Sequence, residues 1–194
     1  MKSEEEVELE APGAGLPARE RFMMGKVVPV VLRFVSRERF SKLFASELGK
    51  INELVASLTE EEMGRRVLIS RIRGIEDSSR YWSTSMTLHH LHIVNGSVMG
   101  VIQKLGRGEL PEKTVRIEDV KPDPEIGLEV RNTFQRSAAL LEESVAEVEN
   151  LETELTHDHP WFGAFNAKRW HALSAIHMRI HRIQIEKIIA GLKE

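Results

Sequence analysis

The chain has 194 residues, 41% of them hydrophobic and 29% charged, with a net charge of −3 at pH 7. This length fits one domain with a substantial core, and the balanced charge argues against nucleic-acid binding because no large basic field is available for phosphates. Because the chain has no cysteine, disulfide scaffolds, thiolate zinc sites and cysteine nucleophiles are excluded, and any metal must take nitrogen or oxygen ligands.

The N-terminal residues are acidic and then rich in Ala, Pro and Gly, which predicts a flexible tail over residues 1–16. They lack the charged-then-apolar pattern of a signal peptide. The apolar run from Val27 to Val35 is interrupted by Pro29 and Arg33 and is too short to cross a bilayer. We therefore expect a cytoplasmic protein with no membrane partner and a single domain over residues 17–194.

Apolar residues recurring at helical spacing predict four long amphipathic helices. The predicted ranges are 36–58, 83–106, 124–155 and 167–191. Ser83 and Asn166 stand where the second and fourth helices begin, and both residue types are preferred at helix N-caps. The fold class is therefore all-α, a four-helix bundle with its core over about residues 37–192 and an extra N-terminal segment.

The segments between these helices have weaker patterns. Thr59 begins a new turn or short helix, and residues 67–69 read as a short strand or an extended linker. Residues 109–124 carry three prolines and form a long connection between helices 2 and 3, with residues 114–117 a candidate for extended structure. Residues 156–163, with one proline and one glycine, are predicted to be a loop.

His177 and His181 are the most informative pair in the chain, because residues four apart lie on one face of a helix. Two buried imidazoles without partners would be unfavourable, whereas a shared metal ion would satisfy one nitrogen of each. A lone histidine on an apolar face is more often a hydrogen-bonded core residue. His171 is expected on the surface, and His157 and His159 have no assigned role in their loop.

A third ligand could come from the second helix, which contains three histidines. His90 projects beside the core stripe of this helix, whereas His89 and His92 lie on another flank. His90 is therefore the preferred candidate and His92 the fallback. Three imidazoles suit Zn, Ni, Cu or Fe rather than Mg or Ca, and they leave positions open for water or a substrate.

Several of these residues resemble motifs of the DinB/YfiT-like proteins. Trp82-Ser83 followed by His90-Leu91 resembles their second helix. The run from His177 to Gln184 is similar to the end of their last helix, which usually reads His-Arg-Gly-Gln. Residues 159–163, followed by Trp170, resemble a loop and helix start found in one branch of the superfamily.

The resemblance covers roughly residues 37–192 and implies a bundle that binds one divalent metal, Zn or Ni, through His90, His177 and His181. It also implies a homodimer. The best understood branches are thiol-dependent transferases and isomerases, which use the metal to activate a low-molecular-weight thiol such as bacillithiol or mycothiol. Ile183 replaces the usual glycine here.

Three functional hypotheses follow. The first is a metal-dependent enzyme of the thiol-transferase or hydrolase type, acting on a small molecule with a metal-activated thiol or water. The second is a non-catalytic ligand-binding or stress-response module, and the third gives the histidines a purely structural role. No general base is identified: Asp158 and Glu186 are near the relevant segments without being placed in the site, and Gln184 is a candidate to support the ligands from behind.

The aromatic residues are expected mainly in the core. Trp82 and Trp170 are predicted to be buried, because each removes a large apolar area from water, and Trp161 is open between core and pocket. The N-terminal segment has apolar residues at 22–24 and 27–31, which are expected to cover the bundle or a partner chain.

Overall fold

The computed structural model describes residues 8–11, 13–27, 30, 32, 34–112 and 116–193. Its long helices confirm the all-α prediction. They are α2 (Arg37–Ala56), α4 (Thr84–Gly106), α5 (Val130–Glu147) and α6 (Ala167–Gly191). Shorter helical pieces are α1 (Ala18–Phe22), a π-helical turn (Met23–Val27), α3 (Glu60–Gly64) and 3-10 turns at Asp77–Ser79 and Glu118–Val120.

The four long helices pack as a bundle around one core. Helix α4 lies against both α5 and α6, and α2 packs against α6. The largest side chains at the centre are fully buried and come from all four helices, among them Phe44, Leu88, Phe134 and Met178. Burial of the apolar face of each helix is the main stabilising contribution.

The two helices that carry the candidate ligands begin at the predicted caps. The Ser83 hydroxyl accepts a hydrogen bond from the Met86 amide at 3.1 Å, and the Asn166 side chain accepts one from the Arg169 amide at 3.1 Å. Each cap satisfies an amide that has no partner within its own helix. These contacts fix where α4 and α6 start and therefore where their histidines lie.

The predicted start of the third long helix near Pro124 is wrong, since α5 begins at Val130. The Asp123 carboxylate accepts the Glu125 amide at 2.9 Å and so closes a local turn. An aspartate that bonds the backbone two residues ahead forms an Asx turn, which competes with helix. The run Asp123-Pro124-Glu125 therefore builds a turn rather than the first turn of the helix.

The predicted end of this helix near Leu155 is also wrong, since α5 ends at Glu147 and Val148 is extended. The guanidinium of Arg37 donates to the carbonyls of Val145 and Val148, which lie at the helix end. A long-range contact therefore caps the last turn of α5. Periodicity within residues 124–155 carries no information about such a partner.

The first of two small antiparallel sheets pairs β1 (Val67–Leu68) with β2 (Tyr81–Trp82). Residues 67–69, for which strand and linker were both open, thus include a strand of two residues. Ahead of it, the predicted turn or short helix after Thr59 is α3, closed by a capping box between Thr59 and Glu62.

The second sheet shows that the predicted loop at residues 156–163 is wrong in part. His157–His159 forms β3, which pairs with β4 (Gly163–Phe165) around a three-residue turn. Gly163 has φ +77°, the left-handed conformation that closes such hairpins and that glycine adopts without strain. The hairpin lies directly before α6 and near its histidines.

The described part of the N-terminal segment contacts the rest of the chain. The Gly13 and Gly15 amides donate to the Glu76 carboxylate at 3.3 and 3.0 Å, and Leu16 is buried. Glu20 forms a two-point ion pair with Arg71. The domain boundaries, with a tail over residues 1–16 and a domain over 17–194, stay predictions.

Some features of the sequence lie outside the described residues. Pro29 and Arg33, which interrupt the apolar run at 27–35, do so entirely. The candidate extended stretch at residues 114–117 does so for Thr114 and Val115. Within the described parts of the chain, none of the helices combines the length and apolar character needed for a bilayer crossing. The cytoplasmic location and the homodimer stay predictions.

Candidate metal centre

Three histidines from two helices converge at one point in the bundle. The Nε2 atom of His177 lies 3.1 Å from Nε2 of His90 and 3.0 Å from Nε2 of His181. His90 belongs to α4, whereas the other two stack one turn apart on α6 with ring centroids separated by 4.3 Å. One ligand atom from each of the three lies within 4.8 Å of the others.

Two of the three imidazoles are held from behind. The Nδ1–H of His90 donates to the Val120 carbonyl at 2.6 Å, and the Nδ1–H of His181 donates to the Gln184 side-chain oxygen at 2.6 Å. Since a carbonyl oxygen can only accept, each ring must carry its proton on Nδ1 when neutral. Both Nε2 lone pairs therefore point toward His177, which is the tautomer that a metal ligand needs.

The two Nε2–Nε2 spacings to His177 fit ligands of a single transition-metal ion. Imidazole nitrogens bind Zn at about 2.0–2.1 Å, so two of them lie roughly 2.9–3.4 Å apart for coordination angles between 90° and 109°. The separations of 3.0 and 3.1 Å fall inside this range. Without a metal, one proton on Nε2 of His177 can be shared between the two lone pairs that face it.

Burial keeps the three rings neutral at physiological pH. His90 and His181 are 8% and 4% exposed, whereas His177 is half-buried. Burial lowers the pKa of His90 to about 4 despite its hydrogen bond to Val120. Burial first and neighbouring histidines second hold the pKa values of His177 and His181 well below 6.5. Neutral imidazole is the form that coordinates metal, so protons compete weakly at this site.

Gln184 supports the centre from behind, as the sequence suggested. It is fully buried, and its amide nitrogen donates to the Ser79 carbonyl at 2.8 Å while its oxygen accepts from His181. The bond to Ser79 fixes which end of the amide faces the imidazole. Ser79 lies in the loop that precedes α4. Its carbonyl holds Gln184 in place, and Gln184 in turn orients the ring of His181.

Replacing Gln184 by leucine is expected to weaken Zn binding by about 10- to 100-fold, because the imidazole loses the acceptor that fixes its tautomer. Competition with a chromophoric chelator measures this. Gln184→Glu, which keeps an acceptor for Nδ1, is the matched control and should retain most of the affinity. Equal losses in the two variants would show that the hydrogen bond is not what matters.

A cavity of about 130 Å³ adjoins the triad. Its wall comes from α4, α6, the hairpin of β3 and β4, and the loops around Glu76 and Val120. The wall includes Trp82, Trp161 and Trp170, which are all the tryptophans of the chain. The burial predicted for Trp82 and Trp170 is confirmed, and both also face the cavity, as does Trp161.

His159 lies in the cavity wall, although no role was predicted for it. Its ring stacks on Phe162 with centroids 4.4 Å apart, and its Nδ1 accepts the Trp161 amide at 3.1 Å. Burial lowers its pKa to about 4, so the neutral ring carries its proton on Nε2. The run His157-Asp158-His159 lacks the β-branched residues that indicate a strand, so no local signal places His159 at the cavity.

His171 is wrongly predicted to be at the surface, since it is completely buried between α2 and α5. Its Nε2 lies 3.3 Å from the Ser41 hydroxyl and 3.3 Å from the Glu142 carboxylate, and its ring packs edge-on against Phe40. It faces away from the triad as expected, but toward another packed helix rather than toward water.

The other candidates do not reach the centre. His89 and His92 stack on each other on the flank of α4, which leaves His90 as the histidine of that helix in the cluster. Asp158 is exposed, and Glu186 pairs with Arg182. Neither acidic residue belongs to the cavity wall.

Comparison with known proteins identifies the fold and the superfamily of the chain. No curated protein matches it. Among solved structures it is similar to TT2238, described as a four-helix bundle protein, with 20% identity, a TM-score of 0.57, and coverage of 78% of this chain and 98% of that one. This likeness supports the fold alone. The family model described as the DinB superfamily matches residues 43–185, well over half of the sequence. The chain belongs to the DinB superfamily.

Proposed function

We propose that the protein is a divalent-metal-dependent enzyme of the thiol-transferase or hydrolase type, with Zn or Ni as its metal. The observation that carries this is the convergence of three neutral imidazole nitrogens beside a cavity. A bound metal would lower the pKa of a thiol or water and so supply a nucleophile near neutral pH. Three protein ligands leave positions for that nucleophile, as in catalytic rather than structural sites.

The residues around the triad have separate roles in this proposal. His90, His177 and His181 hold the metal, while Val120 and Gln184 orient two of the rings. The cavity admits the substrate next to the centre and shields it from bulk water. His159 offers an Nε2–H donor to a substrate oxygen.

The experiment is a thermal-unfolding assay with low-molecular-weight thiols, with and without Zn or Ni. We expect thiols to raise the midpoint only when the metal is present, because the ligand then binds the folded state through the metal. A His177→Ala variant should show no thiol effect in either condition. A shift of equal size without metal would contradict the enzyme proposal.

That contradicting result would favour the second candidate, a non-catalytic ligand-binding or stress-response module. One observation supports it. Among the cavity-wall residues of the described chain, the charged groups are Glu76 and Lys121, and they bind each other at 3.0 Å. Neither charged group is free to act as a general base or acid. A cavity that binds a ligand without reacting with it would have the same charges.

A further inference from the structure

We infer that the cavity beside the triad takes a small, uncharged and mainly apolar molecule that presents a single metal-binding group. This rests on the proposed function, since the head group is taken to bind the metal. It goes further in naming the chemical class of the substrate. Three features of the wall carry it: its apolar surface, its neutralised charges and its occupied hydroxyl groups.

The surface next to the triad is apolar on both helices. Val94 follows His90 by one turn of α4, and Leu173 precedes His177 by one turn of α6, so both lie beside the metal ligands. Phe162 and Trp82 also line the cavity. A cavity of about 150 Å³ holds one benzene molecule, so a volume of about 130 Å³ fits a group of roughly that size.

The charges in the wall cancel. Glu76 is 4% exposed and accepts from Lys121 as well as from the Gly13 and Gly15 amides. The ammonium group of Lys121 also donates to the hydroxyls of Ser78 and Ser79 at 2.9 and 3.3 Å. All three of its protons are thus engaged, which leaves the ammonium no donor for a substrate carboxylate or phosphate.

The serine hydroxyl groups that α4 and α6 contribute to the wall donate to backbone carbonyls of their own helices. Ser97 donates to the Ile93 carbonyl at 3.1 Å and Ser174 to the His171 carbonyl at 2.7 Å. Neither has a proton left for a bound molecule. The polar groups of the wall that remain for a ligand are uncharged, and they include the triad, His159, the Ser79 hydroxyl and the Trp170 indole N–H, which has no hydrogen-bond partner in the described chain.

A charged tail would enter this cavity at a high cost, because a buried charge without a partner is strongly unfavourable. An apolar tail gains from burial against the aromatic and aliphatic wall. The wall therefore selects against thiols that carry several carboxylates and in favour of small aryl or alkyl compounds with one thiol, hydroxamate or carbonyl head.

Three hydroxamates that share one chelating group test this: acetohydroxamate, benzohydroxamate and 4-carboxybenzohydroxamate. Metal content is measured first, and dissociation constants for the Zn-loaded protein are then read from tryptophan fluorescence, since all three indoles face the cavity. We expect benzohydroxamate to bind about 10- to 100-fold more tightly than acetohydroxamate. The carboxylate should remove that gain.

Equal binding of benzohydroxamate and its 4-carboxy derivative to Zn-loaded protein would overturn the inference and leave the metal site intact. Failure to take up metal would instead overturn the proposed function. In that case benzyl alcohol and 4-(hydroxymethyl)benzoate, added to the metal-free chain, test the cavity alone. Preference for the neutral compound supports the apolar site, and equal or absent effects overturn it.

A substitution in the cavity wall tests where the phenyl ring of benzohydroxamate binds. Val94→Phe should fill the space next to His90 and abolish the preference for benzohydroxamate while acetohydroxamate and Zn still bind. Leu140→Phe makes a similar change at a residue 39% exposed on α5 and outside the cavity, and it should behave like the unmodified protein. Unchanged ring preference in Val94→Phe would overturn the placement.

Discussion

Replacing His177 by alanine is expected to lower Zn affinity by about 100- to 1000-fold. His177 is the middle member of the triad, since its Nε2 is 3.1 and 3.0 Å from the other two. Structural zinc sites with four protein ligands bind with roughly 10–16 kcal/mol, so one ligand contributes about 3 kcal/mol. Titration against a competing chelator measures the loss directly.

The matched control is His92→Ala on α4. His92 was the alternative third ligand from sequence, yet it stacks on His89 away from the cluster. We expect its Zn affinity to stay within about threefold of the unmodified protein. A large loss in His92→Ala, or none in His177→Ala, would mean that the ligands have been assigned wrongly.

Mild acid is expected to destabilise the metal-free protein strongly. The pKa of His90 falls from 6.5 to about 4 on folding because the ring is buried. As the pH drops below 6.5, His90 therefore becomes protonated in the unfolded chain while it stays neutral in the folded chain. Stability present in full above pH 6.5 is lost as pH falls toward 4. Between pH 7.5 and 5, His90 alone accounts for about 2 kcal/mol.

Burial shifts the pKa values of His159, His177 and His181 in the same direction, so they add to this loss. Urea denaturation at pH 7.5 and 5 measures it. His90→Gln, which retains a donor for the Val120 carbonyl, should reduce the pH dependence. An unfolding free energy that is the same at both pH values would contradict neutral, buried imidazoles.

The carboxylates titrate at lower pH than the histidines, so they contribute little to the change in stability between pH 7.5 and 5. Burial raises the pKa of Glu76, but the Lys121 contact and two backbone amides bring it below 4.5 overall. Glu47 is also buried, and Lys50 and Arg182 bring its pKa below 4.5. Stability from such groups is present above about pH 4.5 and is lost only in stronger acid.

The four-helix architecture was predictable because it rests on local patterns. Apolar spacing gave α2, α4 and α6, and the caps at Ser83 and Asn166 are interactions within three residues of the helix start. The same local reasoning failed for α5. Its end is set by Arg37, more than a hundred residues away, and no periodicity reports such a contact.

In the candidate site too, the features set by local spacing were predictable and those set by long-range contacts were not. The spacing of His177 and His181 puts two rings on one face, and the position of His90 on its helix could be judged from neighbouring apolar residues. What the sequence could not show is the hairpin that brings His159 to the cavity, since it depends on pairing between β3 and β4. His171 was misplaced because its partners, Ser41 on α2 and Glu142 on α5, belong to other helices and cannot be recognised from the local pattern.

The metal content of the protein, purified without a histidine tag and exposed to excess Zn or Ni before dialysis, is the most direct test of the central claim. Elemental analysis should find about one transition-metal ion per chain. Fewer than about one ion in ten chains, in protein shown to be folded by circular dichroism, would contradict a metal centre at His90, His177 and His181.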